Sequence, residues 1–421
     1  MLIKDGRVID PASKTDKKTD ILIRKDKIVA IEDNIRPVEG EETINAGGLV
    51  VCPGFVDVHA HFRDPGQTEK EDLVTGKEAA AAGGYTSVVL MANTVPPIDR
   101  VERLNENIIK TMDSYIHVYH CATVTVDKKG VSLVDMRKLR EAGAAGFTDD
   151  GSPILNKELV KEAMDISADI EAPLSFHEED PSYICEAGIN AGSMAKKLGL
   201  TGADRKAEIS MVKRDIELAL KTGAKIDIQH VSAAETVALL RKAKKKDNRS
   251  LIHAEATPHH FSLTEDAIID RGTFAKVNPP LRTQNDRLAI IEGLKDGTLD
   301  MIATDHAPHT DREKKRGFTA APSGMIGLET ALALGITNLV KAGHIDLMKL
   351  IELMSLNPAK FYGFDAGRLY VGGVADIAIF DPNEEWTVED FRSKSSNSPF
   401  IGSRLTGRVR YTIASGKTVY K

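Results

Sequence analysis

The sequence predicts an α/β chain built on a (β/α)8, or TIM, barrel, with a small β-sandwich domain assembled from both chain ends. Three observations predict it. Between residues 55 and 304, eight short apolar runs recur, most of them separated by helix-length amphipathic segments. The first and last fifty residues alternate apolar and polar side chains and carry turn dipeptides. Most of the middle runs end in a side chain that ligates metals or handles protons, which is where such a barrel places its active site.

Taken in order, Met1–Ile9, Asp20–Arg24 and Lys27–Glu32 read as strands, with turns at Asp5-Gly6 and Lys25-Asp26. At the other end, Ala375–Phe380 and Val409–Ala414 read as strands, followed by a turn at Ser415-Gly416-Lys417. Ile3–Ile9 and Ile413–Val419 share an apolar-turn-apolar pattern. Residues 1–54 and 365–421 are therefore expected to form one composite β domain, and 55–364 the catalytic barrel. The barrel strands are Phe55–Val58, Ser87–Met91, Ile116–Ala122, Ala144–Phe147, Leu174–Phe176, Ile226–Gln229, Ser250–Glu255 and Met301–Thr304. Helical periodicity covers Leu104–Met112, Lys157–Ala168, Ala207–Lys221 and Ala234–Lys246.

Composition excludes other classes. The chain has 421 residues and a net charge of −6, against the basic excess of a nucleic-acid-binding surface. No apolar run approaches the roughly 20 residues of a membrane span. Met1–Gly6 places acid and base where a signal peptide is apolar. Cys52, Cys121 and Cys185 form no CxxC pair. They read as reduced thiols of a cytoplasmic protein, each packed as a small buried hydrophobe.

The strand ends carry the chemistry. His59 and His61 are two residues apart, so on a strand both imidazoles leave the same face, with Arg63 in the same parity. Later runs end in Asn93, in Asp149 and Asp150, in His177, in His230, and in Asp305 followed by His306 and His309. Four histidines and two carboxylates on different strand ends form a divalent-metal set. Imidazole suits zinc, and a carboxylate bridges two ions. Zinc lowers the pKa of a bound water towards 7, which supplies hydroxide at neutral pH.

A run of motifs is more specific. His59-Ala60-His61-Phe62-Arg63, Met91-Ala92-Asn93-Thr94 and Thr148-Asp149-Asp150-Gly151 come first. Glu255-Ala256-Thr257-Pro258-His259-His260, Asn278-Pro279-Pro280-Leu281-Arg282 and Ala303-Thr304-Asp305-His306-Ala307-Pro308-His309 follow. In this order they resemble class I dihydroorotases, in the cyclic amidohydrolase branch of the amidohydrolase superfamily, over essentially the whole chain. The resemblance implies interconversion of dihydroorotate and N-carbamoyl-L-aspartate in pyrimidine biosynthesis. By position, His59 and His61 match ligands of the more buried zinc, Asp150 the bridging carboxylate, and His177 and His230 ligands of the second zinc. Asp305 matches a residue that binds zinc and shuttles the proton while hydroxide attacks the ring amide. Arg63, Asn93 and His309 match the substrate-carboxylate set, Asn278 a ring contact, and Ser323-Gly324 backbone contacts to the pyrimidine. One or two zinc ions (Zn2+) per chain are implied, two favoured.

Some positions depart from the family pattern. Ala92 replaces a usual proline, Ser323 stands where a bulky apolar residue is common, and Glu178-Glu179-Asp180 lacks a frequent cysteine. Residues 144–150 hold no lysine for a carbamylated bridge, so Asp150 is expected to bridge. Asp149 is the alternative, but neighbours on an extended segment point apart, so one of the two reaches the metals. Two zinc ions against two carboxylates and a hydroxide leave roughly one positive charge, to which Arg63 adds, suiting anionic substrates. Asp57 is expected as a strand-end hydrogen-bonding partner, His306 in a hydrogen bond behind Asp305, and His259 and His260 in a supporting or structural role. The charged run Asp311–Gly317 is expected to be a mobile lid.

Two rival readings stand beside this one. A hydantoinase or allantoinase would share the metal set, but hydantoin lacks the carboxylate that Arg63, Asn93 and His309 would hold. A non-catalytic partner of aspartate transcarbamoylase would have lost ligands, whereas all six positions are intact here. A small-molecule substrate is expected, with no nucleic acid and no membrane. The resemblance is also compatible with a homodimer and with an aspartate transcarbamoylase complex.

Overall fold

Both chain ends enter one eight-stranded sheet. The computed structural model describes Met1–Lys421. Strands β1 (Leu2–Asp10), β2 (Thr15–Arg24), β3 (Lys27–Glu32), β4 (Thr43–Asn45) and β5 (Val50–Pro53) lie at the N-terminal end. Strands β6 (Phe55–Ala60), β7 (Tyr85–Leu90), β8 (His117–His120), β9 (Leu174–Phe176), β10 (Ile226–Ile228), β11 (Ile252–Ala256) and β12 (Met301–Ile302) follow. The chain closes with β13 (Ile377–Thr387), β14 (Arg404–Ala414) and β15 (Lys417–Tyr420). The end sheet runs β15-β14-β13-β5-β1-β2-β3, with β4 beside β1. Its seam is the antiparallel β5–β13 pair, which sets Val51 opposite Ile379. Alternate residues of both wings meet in one apolar core that includes Val8, Ile21, Ile44, Val51, Ile377 and Ile413.

Asp5-Gly6, expected as a turn, is instead a bulge inside β1. Asp5 takes φ +62°, and its N–H donates to Asp20 Oδ1 at 2.8 Å. A side chain on Gly6 would stand 2.5 Å from Val51 Cγ2. The glycine is there because β5 passes close by, not because the chain reverses.

The barrel strands are parallel and in sequence order: β6-β7-β8 on one side and β9-β10-β11-β12 on the other. Phe147 bridges the two groups, pairing with Ala122 and with Leu174. Ala60 pairs with His306 and closes the ring. Helices at Val101–Thr111, Lys157–Asp169, Lys206–Thr222, Ala234–Lys244 and Gln284–Asp296 intervene. Local signals end them where the sequence suggests. Asn156 caps one through Glu158 and Leu159, Thr283 and Asp286 form a capping box, and Gly223 and Gly297 close helices in the left-handed conformation. With helices over the outer face, β6 and β7 are buried along their whole length, as parallel strands covered on both sides are.

Residues 388–403, between β13 and β14, hold no helix or strand. They cross to the barrel, where the Ser395 hydroxyl donates to Lys70 O at 2.6 Å and Asn397 Nδ2 to Ala307 O at 3.0 Å. Cys52 and Cys121 are buried, but Cys185 is exposed, against expectation. It sits in an irregular stretch between β9 and the helix at Lys206–Thr222, where no apolar neighbour pattern pulls it inward. No helix is long and apolar enough to cross a membrane.

Candidate active site

Pairing of β6 with the end of β12 creates the centre of the site. His61 N–H donates to His306 O at 2.9 Å, and the Asp57 carboxylate accepts Thr304 N–H at 3.0 Å. That register brings His61 Nε2 to 3.1 Å from Asp305 Oδ1. Asp57 is thus a strand-end hydrogen-bonding partner, as expected. Arg63, His230 and Asp305 all take left-handed backbone, at φ +57°, +35° and +45°. Each costs on the order of 1–3 kcal/mol that the surrounding packing must offset. Nine other non-glycine residues share this backbone, but these three surround one cavity.

Asp150 is the hub. Its Oδ1 lies 3.5 Å from His59 Nε2, 3.5 Å from His177 Nδ1 and 4.0 Å from His230 Nε2, and its Oδ2 lies 3.6 Å from His61 Nε2. Two ligand groups share it: His59, His61 and Asp150, then Asp150, His177 and His230. Two ligands about 2.0–2.1 Å from a tetrahedral zinc are roughly 3.3 Å apart, close to these separations. His59 Nε2 and His177 Nδ1 are buried with no hydrogen-bond partner. A cation held by each group would satisfy them in turn.

The far nitrogens fit the same reading. His59 Nδ1 meets Glu255 Oε2, His61 Nδ1 meets Asn93 Oδ1, and His177 Nε2 meets Glu179 Oε2, each at 3.0 Å. An acceptor on one ring nitrogen fixes the tautomer and turns the other towards a metal. Sequence reasoning misses Glu255 and Glu179 in this role. The available signals are an acid at the end of β11 and an acid two residues beyond His177. Burial alone would push the Asp150 carboxyl up, but the His59, His177 and His61 imidazoles outweigh it and hold it well below the usual carboxylate range. Burial, then the neighbouring His177 and His59, hold His230 neutral, the form that ligates.

Above this centre is a cavity of ≈ 220 Å³. Every site residue expected from the sequence lines it except His59, which lies beneath. The Arg63 guanidinium uses only its Nε, which donates to Pro308 O at 3.4 Å, and it has no carboxylate within ion-pair distance. The cation is half-buried and unpaired. Asn93 spends both ends of its amide inside the chain, on His61 and on Asp150 Oδ2 at 2.7 Å. It orients both of those side chains as well as facing the cavity. His309 Nε2 donates to Ser323 O at 2.9 Å, and burial followed by the Arg63, Lys70 and Lys314 cations pushes its pKa down to about 2. Asn278 Oδ1 is buried without a partner and open to a ligand's donor. A larger cavity of ≈ 330 Å³ lies beside Glu329 and Trp386, but none of its side chains carries an unsatisfied buried polar atom.

Gly324 has φ +128°, and a Cβ there would stand 2.9 Å from Ala307 Cβ and 3.1 Å from His309 Cδ2 and Nε2. Gly324→Ala is expected to cost about 1–3 kcal/mol in urea unfolding and to weaken substrate binding by displacing His309. Unchanged stability and KM would show that the loop relaxes freely.

Other expectations resolve by geometry. The Asp149 carboxylate accepts the N–H groups of Val124 (2.8 Å) and Thr125 (3.1 Å) and has no histidine within ion-pair distance, so Asp150 alone of the two meets them. His260 is held by Thr257 Oγ1 at 2.7 Å and Pro279 O at 3.0 Å, and His259 is buried beside it. His306 Nδ1 accepts Gly327 N–H at 3.2 Å, a supporting role. The expected lid at 311–317 is tied down instead. Asp311–Lys314 is a helical turn boxed by Thr310 and Glu313, Lys70 pairs with Glu313 at 3.1 Å, and Lys314 is buried.

Residues 50–419 match the model of the amidohydrolase family. A curated dihydroorotase of Clostridioides difficile is 53% identical over 420 residues, covering 100% of this chain and 99% of that protein. One of Clostridium acetobutylicum is 52% identical over 423 residues, with coverage of 100% and 99%. Among solved structures, the L-hydantoinase (dihydropyrimidinase) of Arthrobacter aurescens superposes with a TM-score of 0.89 at 27% identity, over 100% of this chain and 96% of that one.

Proposed function

The chain belongs to the amidohydrolase family, and on that premise we propose how its cavity performs dihydroorotase chemistry. Dihydroorotases interconvert N-carbamoyl-L-aspartate with (S)-dihydroorotate and water, a step of pyrimidine synthesis, and this chain is a metal-dependent enzyme of that activity. The observation that supports the site reading is one cavity with a His/Asp cluster able to hold metal at its floor and an unpaired guanidinium at its wall.

We assign zinc to both ligand groups, one at His59, His61 and Asp150 and one at Asp150, His177 and His230. When bound, zinc supplies Lewis acidity to the amide carbonyl and acidifies a water. The residues do the rest. Asp150 holds the two groups together. Asp305 directs Oδ1 towards His61, while its Oδ2 makes no hydrogen bond within the chain and is free to hold a proton. In ring opening Asp305 takes a proton from the attacking water and delivers it to the leaving ring nitrogen; ring closure runs the same transfer backwards. Arg63 grips the substrate carboxylate through its free Nη atoms, with His309 walling that end of the cavity, and Asn278 faces the ring amide. The half-buried cation also draws the dianionic carbamoyl aspartate in.

Arg63→Gln is expected to raise KM for dihydroorotate by about tenfold to a hundredfold, the value of a charge-assisted hydrogen bond, with a smaller change in kcat. An unchanged KM removes Arg63 from the carboxylate site. The hydantoinase-like fold supplies the rival reading, and the test is direct. Zinc-loaded protein is assayed on dihydroorotate, hydantoin and allantoin alongside metal content. Ring opening of dihydroorotate with little or none of the other two is expected. Comparable kcat/KM on hydantoin would overturn the carboxylate assignment.

A further inference from the structure

Ser323 and Gly324 face the cavity, yet their loop has no regular secondary structure to hold it. Buried side chains from elsewhere do that. Lys314 is only 1% exposed, and its Nζ donates to Pro322 O at 3.0 Å and Gly324 O at 2.9 Å, the carbonyls on either side of Ser323. No carboxylate pairs with it; the adjacent Glu313 is bonded to Lys70. A buried ammonium without a counter-ion is costly, and burial pulls its pKa down to about 7. Asn397, fully buried in the segment between β13 and β14, uses its whole amide at the same place. Nδ2 donates to Ala307 O at 3.0 Å and Gly324 O at 3.1 Å, while Oδ1 accepts His309 N–H at 3.0 Å. Lys276 holds the outer stretch through Phe318 O and Ala321 O, both at 2.7 Å, and its own carbonyl accepts Gly324 N–H at 2.9 Å.

The Gly324 carbonyl is therefore shared by a lysine and an asparagine from different parts of the chain, and the same asparagine fixes the backbone of His309. Neither Lys314 nor Asn397 lines the cavity. We propose that Lys314 and Asn397 are positioning residues that set the spacing between His309 and Ser323-Gly324, and so the shape of the end of the pocket that takes the substrate carboxylate. The inference rests on the assignment of that end made above. It also gives residues 388–403 a function: they bring a clamp from the end sheet to the barrel mouth. A loop arranged before substrate arrives spares the ordering cost at binding.

The test uses the full, zinc-loaded chain. Lys314→Met keeps the side-chain volume and removes the donors; Asn397→Ala removes the amide; Lys314→Arg restores donors. KM for dihydroorotate is expected to rise about tenfold in Lys314→Met and in Asn397→Ala, with kcat down less than about threefold and zinc per chain unchanged. The double variant should fall short of the product of the two effects, because both act on one carbonyl. Lys314→Arg should recover most of the KM. Independently of activity, amide hydrogen exchange over residues 318–327 should speed up about tenfold in Lys314→Met, with β6 to β12 unaffected. Unchanged exchange there, or a wild-type KM in a folded variant, overturns the clamp. Loss of zinc with kcat would make these residues supports of the metal centre instead. If wild-type protein fails to open dihydroorotate but exchange still responds to Lys314→Met, the substrate assignment fails and the clamp stands.

Discussion

Asp305→Ala is expected to lower kcat for dihydroorotate ring opening by about 10³-fold or more, roughly 4 kcal/mol of transition-state stabilisation. The carboxylate lies 3.1 Å from His61 Nε2 and 3.5 Å from His59 Nε2, with Oδ2 unengaged and the cavity in front of it. No other group at the cavity combines a free carboxylate oxygen with that proximity to the histidines, because Asp150 is held by Asn93 and surrounded by four imidazoles. The fold should survive, since Asp305 makes no hydrogen bond outside the site. Asp305→Asn is the companion variant, because asparagine tolerates φ +45° better than alanine does. Thermal unfolding and zinc content check that each variant is intact. Turnover above about a tenth of wild type in a zinc-loaded variant would remove Asp305 as the proton carrier.

Asp150→Ala is expected to take zinc from about two ions per chain to one or fewer and to lower kcat/KM by about 10³-fold. Asp150 alone belongs to both ligand groups, so its loss weakens each of them at once. Replacing His230 removes a ligand from one group only and should leave the other zinc in place. Metal analysis of dialysed protein separates these outcomes. Two tightly held ions in Asp150→Ala would mean that the histidines suffice, with the bridging assignment wrong.

Much of the site is legible in the order of the residues. The parity of His59, His61 and Arg63 needs only the two-residue repeat of a strand. His177, His230 and Asp305 each follow a short apolar run, so a barrel brings them to one end whatever the details of packing. The choice of Asp150 over Asp149 is half legible. Alternation says that only one of the pair faces the histidines, and the amides of Val124 and Thr125 occupying Asp149 show which. The lid expected at 311–317 fails because charge density is a poor stand-in for exposure. Lys314 is buried there because its ammonium satisfies two backbone carbonyls.

Periodicity and side-chain type at strand ends are local properties, and they suffice for the barrel, the joining of the two ends and the identity of the residues around the cavity. What supports those residues comes only from docking of the elements: Glu255 behind His59, Glu179 behind His177, Asn93 between His61 and Asp150, and Asn397 across to His309 and Gly324. Most of these bonds join residues tens to hundreds of positions apart. A hydrogen bond needs its donor and acceptor within about 3 Å and aligned. No local pattern encodes that, because it exists only once the strands and loops have packed together.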